Sequence, residues 1–258
     1  MNSQGKKKNQ LKAYTGVMEN SNRSERLNKF LALRLGSSRR EADELIVSGR
    51  IKVNGLPAIL GQRVKEGDEV SVDGKTFTAD EKPNYIYLIL NKPAGFVCSR
   101  RQQGDNPTIY SLLPTQLHNL KPVGRLDKDS SGLLLLTNDG EFAHKMTHPS
   151  FKKIKSYEVS LLTPLDPEDM RKINEEGVQL EDGLSKFSVI YLDPEHQSTN
   201  TGLPPRRYIV EMTEGRNRQI RRTFAALGHK VSRLHRTQFG QYMIGDLGEG
   251  HYQVIDIS

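Results

Sequence analysis

The stretch from Gly124 to Gly140 places the tightest constraint on how this chain folds. A polar loop, Gly124-Arg125-Leu126-Asp127-Lys128-Asp129-Ser130-Ser131-Gly132, runs straight into four leucines, Leu133 to Leu136, and Asn138-Asp139-Gly140 closes the run with a turn. Four leucines in succession leave no polar face, so they read as a buried strand. A loop anchored on such a strand holds its carboxylates rigidly in a cleft. Three plainer roles compete for the loop. Asp127-x-Asp129-x-Ser131-Gly132 imitates the start of a calcium loop, but Asn138 stands where the closing glutamate belongs and leucines fill the interval. Simple turn chemistry and a structural Arg125–Asp127 ion pair are the other two.

One or two domains are expected from 258 residues, enough for a true hydrophobic core. The single cysteine, Cys98, excludes an internal disulfide framework and a multi-cysteine zinc site, and fits a reducing compartment. It reads as a small, partly buried residue. No apolar run approaches the ~18 residues of a membrane span. Residues 1–22 carry Lys6, Lys7 and Lys8 with no apolar segment behind them, so a disordered basic tail is expected rather than a secretory signal. Lys and Arg number 38 against 31 Asp and Glu, a net charge of +7. That balance favours a polyanionic partner such as nucleic acid, although solubility alone produces the same excess.

Residues 23–77 read as two helices followed by a small antiparallel sheet. Leu27, Phe30 and Leu31 share a helical face, and Ser38-Arg39-Arg40-Glu41 is a capping box ahead of Ala42, Leu45 and Ile46. Asn54-Gly55 marks a hairpin. Arg26, Lys29, Arg39 and Arg40 gather on the helices, the last two where free N–H groups and the helix dipole favour a phosphate. An ordinary solvated face, balanced by Glu41, Asp43 and Glu44, is the alternative. Residues 78–84 read as a linker. In residues 85–258, strands are expected at Tyr85–Leu90, Leu133–Thr137, Ser156–Leu162 and Tyr208–Met212. Helices are expected at Asp166–Glu176 and Arg216–Leu227, and an exposed loop at 193–205. His144 and His148 lie one helical turn apart, but Lys145 and the lack of a third ligand argue against metal.

The string Arg26-Leu27-Asn28-Lys29-Phe30-Leu31, Ser38-Arg39-Arg40-Glu41-Ala42 and Gly49-Arg50-Ile51-Lys52-Val53-Asn54-Gly55 strongly resembles the S4 domain, a small RNA-binding module. The resemblance implies RNA binding by shape and phosphate contact. Residues 124–140 resemble the catalytic motif of pseudouridine synthases, in the branch that joins an S4 domain to the catalytic domain. Leu90-Asn91-Lys92-Pro93-Ala94-Gly95, Lys155-Ser156-Tyr157-Glu158-Val159 and Glu214-Gly215-Arg216-Asn217-Arg218-Gln219-Ile220-Arg221-Arg222 resemble further family segments, in order, so the likeness spans roughly residues 24–250.

The resemblance implies an α+β fold: a small N-terminal α+β domain, then a larger domain on a mixed, mainly antiparallel sheet with flanking helices and a central cleft. It implies Asp127 as the catalytic carboxylate, paired with Arg221, and Tyr157 stacked on the target base. Arg125 would displace the nucleotide from its stack, and Ile220 would form part of the apolar wall. Without the resemblance, Tyr157 is a half-buried strand aromatic, Ile220 is core and Arg221 is one more helix cation. Arg218 departs from the histidine common in the wider family, which leaves it at most a phosphate contact. The implied activity is isomerisation of a ribosomal uridine without metal or other cofactor. The implied partner is ribosomal RNA or a pre-ribosomal particle, with no membrane, and a cytoplasmic monomer is expected. Two rivals are a non-catalytic assembly protein using the S4 module alone and an RNA methyltransferase. The second lacks a Gly-rich turn between strand and helix, since Gly245, Gly248 and Gly250 lie too near the C-terminus.

Overall fold

The computed structural model describes residues 24–78, 84–100, 104–192 and 206–257. The expected tail 1–22 and loop 193–205 lie outside these residues, as do 79–83 of the expected linker. The chain divides into two compact units, Met1–Pro83 and Asn84–Ser258.

In the first unit, β1 (Glu25–Arg26) leads into α1 (Leu27–Arg34) and α2 (Arg39–Val47). There follow β2 (Ile51–Val53), β3 (Leu56–Pro57), β4 (Arg63–Val64), β5 (Glu69–Val72) and β6 (Lys75–Thr78). The start of α2 is fixed by the expected box. Ser38 Oγ accepts from the Glu41 N–H at 3.1 Å, and the Glu41 carboxylate accepts from the Ser38 N–H at 2.6 Å, an arrangement worth about 1 kcal/mol. Leu27, Phe30, Leu31, Ala42 and Ile46 turn inward onto Ile51, Val53, Val70 and Val72. The sheet runs β3-β2-β5-β6, all antiparallel, and β1 pairs separately with β4. Asn54 and Gly55 both take positive φ, 51° and 81°, as the tight hairpin turn requires.

The second unit contains β7 (Tyr87–Lys92), β8 (Lys121–Pro122), β9 (Ser131–Thr137), α3 (Gly140–Thr147), β10 (Lys155–Leu161) and α4 (Pro167–Arg171). The chain continues through β11 (Val178–Leu180), β12 (Gly183–Ser185), β13 (Ser188–Tyr191), β14 (Arg207–Met212) and α5 (Gln219–Ala226). It ends with β15 (Val231–Phe239), β16 (Tyr242–Met243) and β17 (Tyr252–Ile255). Among the described residues the main sheet has the order β13-β14-β10-β15-β9-β7-β17, with β8 on β9 and β16 on β15. Every pairing is antiparallel except β9 with β15, which is parallel through His235↔Ser131 and Arg236↔Gly132.

The four leucines are explained by burial on both sides of β9. Leu134 and Leu136 join one core with Tyr157, Ile220 and Phe224, while Leu133 and Leu135 join another with Ile89, Met146 and Phe239. Gly132 lets β15 come close. A Cβ there would stand 2.3 Å from the Arg236 carbonyl oxygen and 2.5 Å from its nitrogen, and φ is +104°. Only glycine meets both demands.

Several element boundaries move from the expected ones. The strand expected at Tyr85 starts at Tyr87, because Ile86 N–H is drawn aside to Asn138 Oδ1 at 2.8 Å. The helix expected from Arg216 starts at Gln219, because Arg218 adopts the left-handed conformation, φ 47°. The helix expected over Asp166–Glu176 is α-helical to Arg171 and widens to a π-type turn over Lys172–Glu176. The strand β15 was not expected. Its sequence, Val231-Ser-Arg-Leu-His-Arg-Thr-Gln-Phe239, is too polar to announce a central strand.

Candidate active site

The loop bearing Asp127 is held from below by Lys92. This side chain is fully buried, and its ammonium donates to three backbone carbonyls: Ser130 at 2.7 Å, Pro93 at 2.9 Å and Asp127 itself at 3.1 Å. Three donors meet three acceptors. Burial pushes the Lys92 ammonium below the usual lysine range. The Ser130 N–H closes the turn on the Asp127 carbonyl at 3.1 Å, and Cys98, half-buried, donates its thiol to the Leu126 carbonyl at 3.3 Å.

The ion pair expected between Asp127 and Arg221 is not formed. Arg221 instead reaches Asp129, with Nε 3.4 Å from the carboxylate and Nη2 donating to the Asp129 carbonyl at 2.8 Å, while Nη1 donates to the Val231 carbonyl at 3.0 Å. The cation nearest Asp127 is Arg218, 3.8 Å from Oδ2. Arg218 also grips Asp129 with two bonds of 2.8 Å. The reason is local: the left-handed backbone at Arg218 turns the residue before α5 toward the loop, and Arg221, one turn later, ties the loop to β15. Hydrogen bonds from Arg218 hold the Asp129 carboxyl below the usual carboxylate range. Gln219, buried, fixes the start of α5 by donating to Ser185 Oγ at 3.1 Å and to Glu214.

A cavity of about 480 Å³ opens beside this loop. Arg125, Asp127, Tyr157, Arg218, Ile220 and Arg236 border it; Arg221 does not. Tyr157 and Ile220 are buried, so the cavity lining combines apolar surface with a carboxylate. On β10, Lys155 also borders it, donating to the Thr213 and Glu214 carbonyls at 3.0 and 3.3 Å. Burial lowers the Lys155 ammonium, and Arg236 adds repulsion. The arrangement brings a carboxylate and a tyrosine to one space the size of small-molecule sites, ~300–1,000 Å³. Among the described residues no group of three His, Cys, Asp or Glu is placed to hold a metal. His148 instead caps the turn at 149–151 and packs its ring edge-to-face on His144, centroids 4.8 Å apart.

Comparison with known proteins bears on what this cavity is for. Residues 86–226 match the family described as RNA pseudouridylate synthase, and residues 25–70 match the S4 domain. The ribosomal large subunit pseudouridine synthase B of Bacillus subtilis is 37% identical over 83% of this chain and 85% of its own length. The chain belongs to the RNA pseudouridylate synthase family. A synthase of the same name from Pseudomonas aeruginosa is 40% identical, and this chain spans 60% of its length. The ribosomal small subunit pseudouridine synthase A of Vibrio parahaemolyticus is 36% identical over 89% of this chain. A crystal structure of a pseudouridylate synthase superposes with a TM-score of 0.61 at 32% identity, covering 90% of this chain and 96% of the other.

In this pseudouridylate synthase family member, the remaining residues expected to meet RNA lie in the S4 domain. Arg26, Arg39 and Arg40 are exposed. Arg39 and Arg40 occupy the first turn of α2, and Arg39 donates to Asn28 Oδ1 at 3.2 Å. Lys29 stands 3.8 Å from Glu25. Sequence reasoning gave no role to Lys92, Lys155, Asp129 or Arg236. The first two sit inside quoted motifs, and Asp129 was visible as the second aspartate of the loop. Arg236 had no signal, because its strand was not recognised.

Proposed function

We propose that this chain converts a specific uridine of ribosomal RNA, free or in a pre-ribosomal particle, to pseudouridine, acting as a monomer in the cytoplasm. The observation that carries the reading is Asp127 facing the same cavity as Tyr157 and Ile220, on a loop fixed by buried Lys92. The relatives named for both ribosomal subunits support ribosomal RNA as substrate, and no described helix is long and apolar enough to cross a membrane.

The reaction exchanges the N1–C1′ bond for a C5–C1′ bond, with the C5 proton lost and a proton gained at N1. It is redox-neutral, so the chemistry itself calls for no electron carrier. A nucleotide must leave its stack before its sugar can meet a carboxylate in a cavity. Arg125, exposed at the rim, is placed to fill the gap. Asp127 then acts on the sugar, either attacking C1′ or taking the C2′ proton, while Tyr157 and Ile220 enclose the base. Arg218 stands 3.8 Å from the Asp127 carboxylate, within reach of charge that gathers there. Arg221 acts through Asp129 and the loop.

Asp127→Asn is expected to lower single-turnover conversion by about 10⁴-fold or more, while affinity for ribosomal RNA stays within about twofold. Tritium release from 5-tritiated uridine RNA reads the first and filter binding the second. Unchanged conversion overturns the assignment of Asp127. Wild-type protein that binds RNA yet adds no pseudouridine to either ribosomal RNA favours the assembly-protein reading instead.

A further inference from the structure

Arg236 is the one arginine at the cavity that is buried with no carboxylate beside it, among the described residues. Only 2% of it is exposed. Its Nε donates to the Leu133 carbonyl at 2.8 Å, its guanidinium lies 4.9 Å over the Phe239 ring, and Nη2 has no hydrogen-bond partner. The other cavity arginines are accounted for: Arg216 pairs with Asp182, Arg218 pairs with Asp129, and Arg125 is open to water. Arg236 lies directly across from Tyr157 in the β10–β15 register, so the two side chains share a face of the sheet. Lys155 approaches the same aromatic ring, its Nζ 5.3 Å from the Phe239 centroid.

A buried cation without a counter-ion is a standing expense to folding, and its place at the wall shared with Tyr157 shows what would relieve it. Cleavage of the N1–C1′ bond leaves the bonding electron pair on N1, and the negative charge spreads over the base to O2 and O4. The sugar is satisfied separately, by the new bond from Asp127 or by loss of its C2′ proton to Asp127. The detached base is thus an anion with two carbonyl acceptors in one plane, matched to a planar guanidinium. A fixed cation in a water-poor site is worth most where charge develops during the step. We propose that Arg236, supported by Lys155, is the cation that holds the uracil leaving group as it departs. The proposal rests on reading this cavity as a uridine site.

The test pairs a charge-removing variant with a substrate that needs the charge less. Arg236→Gln is expected to slow single-turnover loss of the N-glycosidic uridine by about 10²- to 10³-fold, and Arg236→Lys by less. On the same RNA carrying 5-fluorouridine, whose base leaves as a more stable anion, the Arg236→Gln loss is expected to shrink to about tenfold or less. Equal losses on both substrates, or losses matched by weakened RNA binding, overturn the proposal and assign Arg236 to backbone phosphate or to packing. A second measurement uses the unsubstituted protein and requires no stable variant. By calorimetry at neutral pH, anionic 5-nitrouracil is expected to bind at least about tenfold more tightly than neutral uracil, and equal affinities overturn the proposal. Failure of the functional reading itself shows separately, as absence of pseudouridine from reactions of the unsubstituted protein.

Discussion

In the S4 domain the basic side chains of Arg26, Arg39 and Arg40 lie open to water. In the second unit Lys92 and Arg236 are buried, and backbone carbonyls rather than carboxylates accept their hydrogen bonds. The same two residue types therefore do different work. An exposed cation keeps its hydration and its mobility, and what it offers a partner is charge that salt screens. A buried one has lost its water and gained fixed donors, and what it offers is position. Net charge, summed over the chain, counts both kinds alike and does not tell them apart.

Substitutions in the two regions should separate these roles. Lys92→Met carries the largest expected effect. It keeps the volume but takes the ammonium donor from the Pro93 and Ser130 carbonyls and leaves the Asp127 carbonyl only its bond from the Ser130 N–H, at about 1–3 kcal/mol for a buried unsatisfied group. Thermal unfolding should show a loss of at least about 2 kcal/mol, and kcat should fall by about 10²-fold as the Asp127 loop drifts. RNA affinity should hold, and a parallel fall in affinity would mean that Lys92 acts as charge after all. Replacing Arg39 and Arg40 together with Ala should do the reverse: affinity for RNA roughly tenfold weaker at low salt, the slope of log affinity against log salt shallower by about 2, and kcat at saturating RNA unchanged. An unchanged salt slope would remove these residues from the RNA contact.

The smallest effect concerns pH. The folded Asp129 carboxyl lies below its unfolded value of roughly 3.9, so its pairing stabilises the fold above that value and is lost as pH falls through the folded one. Asp129→Asn should therefore melt lower than the unsubstituted protein at pH 7, with the gap closing as the buffer is taken into the acid range. Asp129 is nearly half exposed, so the gap should be small. A gap that widens toward acid pH would contradict the assignment.

Much of this was readable in the residues. The capping box at Ser38, the Asn54-Gly55 turn and the leucine run each have a short-range physical cause, and each appears where expected. The cavity residues Asp127, Tyr157, Arg125 and Ile220 do come together. What was not readable depends on contacts between distant segments. The strand β15 carries Arg233, His235 and Arg236, and it becomes central only because β9 and β10 close around it. Asp127 and Asp129 stand two residues apart on one turn, and no pattern tells which of them an arginine some ninety residues away will choose. That choice follows from the left-handed backbone of Arg218, a non-glycine residue in a conformation that costs energy and that local sequence gives no reason to expect.

The parallel step between β9 and β15 has one more consequence. It is a seam, joining two antiparallel halves of the sheet through His235↔Ser131 and Arg236↔Gly132. Asp127 belongs to one half, and Tyr157 and Arg236 to the other. The span between carboxylate and tyrosine is therefore not set inside either half but by how closely the two are stitched, and the stitch passes through the missing side chain of Gly132. Drift elsewhere in either half can leave the chemistry aligned, whereas a single added methyl group at this junction would pry the reacting groups apart.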